Sequence, residues 1–269
     1  MEKSEIKVLD HGYIKLVGNW GSDEEIIAAA RMSTDGAFRG WGPRYKCKGC
    51  HSVNELDWEP VGADGCSNCG LGSEHVEKVP GDEKLLAYLY RNRHSTPFEM
   101  AGLTVEVQAP IIVYRQWHRH RTQSYNELSA RYTPMPNLNY IPTLERLLGQ
   151  HKISTNKQAG TIKGANYLSE RSAELFQEDL AKYYDAGEEL YQKHLKNGIP
   201  KELARLFITV GRYSRMRASA NLRNWLAFLR LRMDSHAQHE IGVFAEAIGG
   251  MISQLHPRTW DLFMEDVAK

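Results

Sequence analysis

The chain has 269 residues, enough to bury a substantial core in one large domain, or in a domain with a small additional module. Its 34 lysines and arginines nearly balance 33 aspartates and glutamates, which disfavours a general nucleic-acid binder and requires any anion site to be local. The N-terminus is charged from its second residue, and no stretch approaches the roughly 18 apolar residues of a membrane span. We therefore expect a soluble, cytoplasmic protein with no membrane partner.

The first elements precede a sharp change in composition. Residues 6–17 alternate loosely between apolar and polar side chains and indicate a strand pair or a bent strand. Ser22 and Glu25 form a capping box that predicts a helix ending near Ser33, with Met32 in the core. Ser33 is either an ordinary polar helix end or a ligand contact.

All four cysteines fall within a glycine-rich segment, residues 36–79, which we interpret as an inserted module. Cys47 and Cys50 form one Cys-x-x-Cys pair, and after fifteen intervening residues Cys66 and Cys69 form a second. Two such turns can direct four thiolates at one tetrahedral ion, so the spacing predicts zinc. Iron and two disulfides are the alternatives, and a cytoplasmic location argues against disulfides.

The glycines of this segment have a predicted role. Gly49 and Gly70 are expected to permit the turns around the metal, and so short a segment is not expected to fold without it. His51 and His75 are surplus to a four-cysteine site and are interpreted as surface residues.

Four elements are predicted between residues 80 and 119. A helix starts at Pro80 or Asp82, residues 94–99 form a turn that presents His94, Thr96 and Glu99, and residues 103–107 alternate as a half-buried strand. Pro110 then opens another helix. The apolar side chains predicted to be buried on the first helix are Leu85, Leu86, Tyr88 and Leu89.

Residues 119–131 are the most distinctive stretch, because three arginines and a histidine share thirteen residues with two serines and a glutamate. Arginine binds phosphate and carboxylate in a bidentate manner, and arginines so close together repel one another unless anions lie between them. We interpret the stretch as a loop that binds phosphorylated ligands. The alternative is a solvated polar loop.

The C-terminal half is predicted to be mainly helical. Residues 132–142 are proline-rich and extended, residues 152–163 are polar, and a long amphipathic helix runs from Asn166 or Ser169 to about Asn197, packing inside or between subunits. Pro200 starts a short helix in which Arg205 lies among apolar residues and should pair with a carboxylate or a ligand phosphate.

A strand and two helices complete the prediction. Residues 213–220 alternate as a strand, and Asn221 caps a basic helix over residues 222–232. A last helix begins near Asp234 or Ser235 and continues to His256 and Pro257.

With these motifs in view, the chain resembles the flavin-dependent thymidylate synthases. The resemblance rests on His94, Thr96 and Glu99 in the turn, and above all on Arg119-His-Arg followed by seven residues and Ser129. It extends over the chain except for the cysteine module. It implies an α/β fold of the α+β type with a mixed sheet, flanking helices and long helices at subunit contacts. It also implies a homotetramer with shared active sites that makes dTMP from dUMP with 5,10-methylenetetrahydrofolate, NADPH and FAD.

The resemblance assigns roles to individual residues. The positions that match FAD contacts are Ser33, Thr96, Arg119, His120, Arg121, Glu127, Asn221 and Arg223. The positions that match dUMP contacts are Gln116, Arg119, Glu127, Ser129, Arg131, Arg205 and Arg232. Ala227 and Met100 depart from the residues common in relatives, asparagine and histidine respectively.

Arg232 is the catalytic residue that we infer. The resemblance puts it on the uracil ring, where a fixed guanidinium would stabilise negative charge as the pyrimidine N3 ionises. If all four cysteines bind metal, none remains as a nucleophile, which favours the flavin-dependent family over the thymidylate synthases that use a thiolate. The alternative from another class is a zinc-ribbon nucleic-acid-binding protein on a degenerate enzyme scaffold, which the near-zero net charge disfavours.

Overall fold

The computed structural model describes residues 5–42, 44–53, 61–62, 64–149 and 168–268. The predicted polar segment 152–163 and the alternative helix start at Asn166 lie outside the described residues. None of the helices within these ranges is both long and apolar enough to cross a membrane.

The described residues contain nine β-strands and nine α-helices. The strands are β1 (Glu5–Val8), β2 (Gly12–Trp20), β3 (Arg44–Cys47), β4 (Val61–Gly62), β5 (Gly65–Cys66), β6 (Val76–Val79), β7 (Gly102–Pro110), β8 (Ser124–Glu127) and β9 (Tyr213–Asn221). The α-helices are α1 (Asp23–Arg31), α2 (Glu83–Arg91), α3 (Ile111–Trp117), α4 (Leu144–Leu148), α5 (Glu170–Lys196), α6 (Lys201–Ala204), α7 (Leu222–Arg232), α8 (His239–Leu255) and α9 (Pro257–Val267).

The chain divides into two compact units. The first comprises Met1–Asn19, Leu103–Ala220 and Asn224–Met251, and the second comprises Trp20–Gly102, Asn221–Arg223 and Ile252–Lys269. The first is built on a five-stranded sheet in the order β1-β2-β7-β9-β8. With helices in the same units, this is the mixed α/β fold that the sequence predicts.

Alternation on β7 creates the core of the first unit. Leu103, Val105 and Val107 are fully buried while the residues between them are half-buried, as predicted for this strand. Trp117 and Phe228 pack with their ring centroids 4.8 Å apart. The buried indole of Trp225 is satisfied because its Nε1–H donates to the carbonyl of Leu103 at 3.0 Å.

The long helix α5 begins and ends where the sequence predicts. The side chain of Ser169 caps it by accepting from the backbone N–H of Ser172 at 3.1 Å. At its other end, Gly198 has a φ of 83°, the left-handed conformation that glycine adopts readily after a helix.

The second unit joins α1, α2 and α9. Ser22 caps α1 by accepting from Glu25 N–H at 3.3 Å, which confirms this half of the predicted capping box. The buried carboxylate of Asp23 accepts from Thr259 Oγ1 at 2.6 Å and from Arg258 N–H at 2.8 Å at the start of α9. An acidic side chain is favourable there because the first amides of a helix lack partners.

A narrow neck connects the cysteine-containing segment to this unit. β3 and β6, on either side of the segment, pair antiparallel, with Arg44 opposite Val79. Gly42 and Gly81 approach so closely that a Cβ on Gly81 would lie 2.1 Å from the nitrogen of Gly42. The chain therefore leaves and returns at one point, as an inserted module requires. The boundaries 36 and 79 stay a prediction.

Two predictions of burial are wrong. Met32 is 74% exposed rather than buried, because it lies in a 3-10 turn (Met32–Thr34) beyond the end of α1. Tyr88 is 56% exposed and stacks on His94, since the buried stripe of α2 runs through Leu86 and Leu89.

The last predicted helix starts too early, and the sequence analysis missed one further helix, α9, after it. Asp234 accepts the backbone N–H of His236 at 2.7 Å, and this local turn postpones the start of α8 to His239. Pro257 does not terminate the helical region but opens α9, where its missing N–H costs nothing.

Candidate active site

The arginine-rich stretch 119–131 follows α3 and is partly a strand. α3 ends at Trp117, and the next turn is held by His120 N–H donating to the carbonyl of Trp117 at 2.9 Å. Residues 124–127 then form β8, which pairs antiparallel with β9 in the register Ser124 to Ser219. The predicted loop is therefore wrong for these four residues, because pairing with β9 overrides their polar composition.

Arg232 lies at the centre of a cluster with two other predicted site residues. Its Nε–H donates to Nε2 of His120 at 2.9 Å, and its Nη2 donates to the backbone carbonyl of Gln116 at 3.2 Å. Its Nη1 lies 3.5 Å from Oε1 of the same glutamine. Within the described ranges, no carboxylate pairs with this guanidinium.

The electrostatics of this cluster follow from burial and cation crowding. Burial and, after it, the nearby charge of Arg119 lower the pKa of the Arg232 guanidinium from its ordinary value. Burial and the charge of Arg232 lower the pKa of His120 to about 4, so the imidazole is neutral near pH 7. The cluster thus has a net positive charge and is suited to an anion.

A cavity of about 330 Å³ lies in the same unit. Its polar side chains are Glu127, Ser129 and Arg205, three of the residues that the sequence analysis assigns to dUMP. Its apolar lining comes from Ile111, Leu128, Ala130, Met135 and Ile208. The wall area of the cavity is mainly polar, which suits a hydroxylated or anionic small molecule.

Glu202 organises the two arginines predicted to bind the nucleotide. Its carboxylate accepts from Nε of Arg131 at 2.9 Å, and its backbone carbonyl accepts from Nε of Arg205 at 3.3 Å. The sequence predicts that Arg205, flanked by apolar residues, pairs with a carboxylate or a ligand phosphate. Leu203 and Leu206 are 53% and 80% exposed, and Arg205 itself lies at the surface. Among the described residues it bonds to a backbone carbonyl rather than to a carboxylate, so the phosphate contact stays a prediction.

Of the remaining predicted FAD residues, Arg121 is exposed and lies in the first unit, whereas Ser33, Thr96, Asn221 and Arg223 lie in the second unit. Ser33 is exposed, and its hydroxyl donates to the carbonyl of Ala30 at 2.9 Å. Thr96 begins a 3-10 turn that ends at Glu99, whose carboxylate pairs with Arg223 at 2.5 Å.

A backbone hydrogen bond holds the chain next to Asn221, and the two positions that depart from the residues common in relatives, Met100 and Ala227, are both at the surface. The amide of Leu222, next to Asn221, donates to the carbonyl of Ala101 at 2.7 Å. Met100 is 51% exposed, and Ala227 is also exposed.

The four cysteines converge as their spacing predicts. All four Sγ atoms lie within 4.8 Å of one another, and they form the one candidate metal-binding group in the described part of the chain. His51 and His75 are exposed and lie outside this group, as predicted.

The surroundings of the thiols fit a metal ion. Hydrogen bonding with Ser52, and then a hydrogen bond donated by Asn68, lower the pKa of Cys50 to about 5. The amide of Leu71 would lower the pKa of Cys69, but burial and the neighbouring thiols raise it to about 12. Without a cation, then, the four thiols resist ionising together, whereas a bound metal would stabilise all four as thiolates.

The glycines near the cysteines act in different ways. Gly70 has a φ of 75° and donates its N–H to the carbonyl of Cys66 at 2.8 Å, closing the second turn. At Gly49 a Cβ would lie 2.2 Å from Cδ1 of Leu71, the end of a flexible side chain that can shift, so the predicted need for glycine at this position is not supported by space.

Sequence reasoning missed the buried carboxylate of Glu240, near the start of α8. It is 4% exposed and accepts from Arg146 at 2.7 Å and from Gln238 at 2.6 Å. A glutamate in the first turn of an apolar helix gave only a weak signal, because acidic residues are common at that position.

The Arg232 cluster and the cavity, both in the first unit, are each suited to an anionic small molecule. The family described as "Thymidylate synthase complementing protein" matches residues 15–258. The chain belongs to this family.

Its relatives specify the kind of enzyme. The flavin-dependent thymidylate synthase of Ehrlichia ruminantium (strain Gardel) is 33% identical over 261 residues, covering 97% of this chain and 73% of that protein. The corresponding protein of Rickettsia bellii (strain RML369-C) is 34% identical over 269 residues, covering 97% and 78%.

Solved structures agree with the sequence relatives. The UMP/dUMP methylase PolB of Streptomyces cacaoi, bound with 5-Br dUMP, is similar with a TM-score of 0.71 and 29% identity, covering 97% of both chains. Its complex with 5-Br UMP gives a TM-score of 0.69 over 97% of this chain and 96% of that one.

Proposed function

We propose that this protein is a flavin-dependent thymidylate synthase that methylates dUMP reductively to dTMP. The observation that carries the proposal, within this family, is the guanidinium of Arg232, which is fixed by His120 and Gln116 but neutralised by no carboxylate among the described residues. Such a group is pre-oriented for a ligand whose charge increases during reaction.

The reaction balances with the co-substrates that the family uses. 5,10-methylenetetrahydrofolate supplies one carbon to C5 of the uracil, where the C5–H bond is replaced by a methyl group. NADPH supplies the two electrons and a proton comes from solvent, so the products are dTMP, tetrahydrofolate and NADP⁺. No enzyme cysteine is required, which agrees with the proposed commitment of all four thiols to a metal.

The chain's own residues bind and orient the nucleotide. Ser129, Arg205 and Glu127 line the cavity and would contact the phosphate and sugar of dUMP, with Arg131, Gln116 and Arg119 as further contacts. Arg131 is restrained by Glu202, whereas among the described residues Arg205 bonds to a backbone carbonyl and pairs with no carboxylate. Arg205 is therefore the arginine better placed to give its charge to a phosphate.

Arg232 would act on the uracil ring itself. Of the five N–H groups of a guanidinium, three are used by His120 and Gln116, so two remain for a ligand. Directed at a uracil oxygen, they would stabilise negative charge on the ring as N3 ionises. This stabilisation of the ring's negative charge is stronger in the transition state than in the bound substrate and therefore raises the turnover rate.

The exposed polar side chains that match FAD contacts fit a flavin nucleotide. When bound, FAD supplies hydride to the pyrimidine. The residues that would hold it are Ser33, Thr96, Arg119, His120, Arg121, Glu127, Asn221 and Arg223. Hydroxyls and guanidinium groups suit its ribityl chain and its phosphates, and a neutral His120 can donate through Nδ1 without adding charge.

A structural zinc ion in the module 36–79 is the second part of the proposal. Cys47, Cys50, Cys66 and Cys69 would bind it, supported by the convergence of their Sγ atoms and by the small apolar cluster around them. Among the described residues of the module, Val61 is the buried side chain of that cluster besides Cys47 and Cys66, and a bound metal would add to its stability.

A homotetramer is the assembly that we propose. Its support is the number of large apolar side chains on the surface of the first unit, with Tyr132 and Leu206 each 80% exposed and Val210 54% exposed. Contact with other subunits would remove these side chains from water.

The decisive experiment mixes purified protein with NADPH, dUMP labelled with tritium at C5, and 5,10-methylenetetrahydrofolate. We expect a flavin absorbance that bleaches with NADPH, and tritium release that requires the folate. A metal-replete protein that has no flavin absorbance and releases no tritium would overturn the assignment. Salt-sensitive oligonucleotide binding without any response to dUMP would favour the nucleic-acid alternative, which the pairing of Arg131 and Arg223 with carboxylates already disfavours.

A further inference from the structure

Two glutamine side chains connect Arg232 to a buried carboxylate. Gln116, which contacts Arg232, donates its Nε2–H to Oε1 of Gln238. Gln238 in turn donates its Nε2–H to Oε2 of Glu240 at 2.6 Å. We call Gln116 and Gln238 the amide chain.

The carboxylate fixes the direction of both amides. An ionised carboxylate can only accept, so Gln238 must turn its NH₂ towards Glu240 and its oxygen towards Gln116. Gln116 must then turn its own NH₂ towards Gln238, which leaves its Oε1 facing the guanidinium of Arg232. Glu240 thus determines that an oxygen of Gln116 faces Arg232, although two glutamine side chains separate Glu240 from the arginine.

Glu240 is held firmly enough to serve as this reference. Arg146 binds both of its oxygens, at 2.7 and 3.2 Å, and Tyr140 donates to Oε1 at 3.0 Å. Burial would raise the pKa of Glu240, but hydrogen bonds from Arg146 and Gln238 lower it to about 2, so the side chain is ionised at any working pH. Burial chiefly, and then Glu240, raise the pKa of Tyr140, which keeps its hydroxyl a donor.

We propose that Glu240 is a positioning residue for Arg232 and acts through the amide chain. The inference rests on the proposed function, because it takes Arg232 to be the group on the uracil ring. Glu240 touches neither the guanidinium nor, on this proposal, the substrate. Its contribution is to exclude the reversed orientation of both amides, in which the NH₂ of Gln116 would face the donors of Arg232.

The test uses the holoenzyme with Glu240→Gln, which keeps the side-chain volume but can accept or donate towards Gln238. We expect kcat for dTMP formation to fall by about tenfold to a hundredfold, since small misplacements of a catalytic group cost rates of that order. The KM for dUMP should change far less than kcat, and flavin reduction by NADPH without dUMP should be unchanged.

Glu188→Gln is the matched control. Glu188 is also a largely buried carboxylate in an ion pair, at 2.6 Å from Arg212, and lies outside the proposed site. Its loss should lower thermal stability without the selective fall in kcat. An equal fall in kcat in both variants would mean that Glu240 acts through stability, and would overturn the proposal.

Gln238→Met interrupts the amide chain while leaving the pair of Arg146 and Glu240 intact, so it tests the same route if Glu240→Gln fails to fold. Alone it should reproduce the fall in kcat. Combined with Glu240→Gln it should add little, because two breaks in one chain are not additive. Effects that multiply, or a wild-type kcat in either single variant, would overturn the proposal. A wild-type protein that releases no tritium would instead overturn the proposed function.

Discussion

The Nε–H of Arg232 donates to Nε2 of His120 across 2.9 Å, so the imidazole accepts at that atom and carries its proton on Nδ1. A cation and a histidine in such contact disfavour a second positive charge. The tautomer of His120 is therefore set by the arginine that we propose as the catalytic group.

His120 should titrate far below an ordinary histidine. Its pKa of about 4 lies below the ordinary histidine value of 6.5, so the unfolded chain binds more protons between these two pH values. The stability that its neutral form contributes should be complete above about pH 6.5 and lost as the pH falls towards 4. Histidine-selective ¹⁵N NMR, with His120→Gln to assign the signal, measures the pKa directly.

Arg232→Gln provides the comparison for that titration. Removing the guanidinium should raise the pKa of His120 but leave it below the ordinary value, because burial is the larger cause. A wild-type midpoint between pH 6 and 7 would contradict the neutral assignment.

Arg205→Ala should weaken dUMP binding. A hydrogen bond to a charged group is worth about 1.5–3 kcal/mol, which corresponds to about a tenfold to hundredfold increase in Kd. Calorimetric titration of the holoenzyme with dUMP at two salt concentrations measures the change and its ionic part. Lys201→Ala, in the same short helical region, is the control, and equal losses in both variants would argue against a specific phosphate contact.

Cys66→Ser should abolish metal binding, because it removes a buried ligand at the centre of the module. We expect elemental analysis to find one zinc per chain in the wild type and almost none in the variant, together with faster proteolysis within residues 44–79. Ser73→Ala is the control in the same segment. Wild-type protein that contains neither zinc nor iron after purification without chelator would sink the metal assignment.

Gly81→Ala should destabilise the neck of the module. The new Cβ would lie 2.1 Å from the nitrogen of Gly42 and 2.4 Å from Oε2 of Glu83, so the backbone has to move. Overpacking of this kind costs about 1–3 kcal/mol. Thermal denaturation monitors the loss, and Gly62→Ala, where no atom lies within 4 Å of the new Cβ, should have little effect. Equal melting temperatures for Gly81→Ala and the wild type would show that the neck opens freely.

Local patterns predicted most of the elements correctly. Ser169 and Gly198 mark the ends of α5 because capping depends on a few adjacent residues. The alternation of residues 103–107 predicts which face of β7 is buried. By contrast, β8 was missed, since four polar residues form a strand there only through pairing with β9.

The sequence by itself determined the family, through the arginine-rich stretch 119–131, and the four-cysteine group proposed to bind a metal, through the spacing of its cysteines. Both are encoded in short runs of residues whose chemistry is unusual at any position in a fold. Only the tertiary structure decided that Arg232 contacts His120 and Gln116, and that Gln238 links Gln116 to Glu240. These contacts join residues more than a hundred positions apart, and no local preference records which distant side chain a buried polar group will meet.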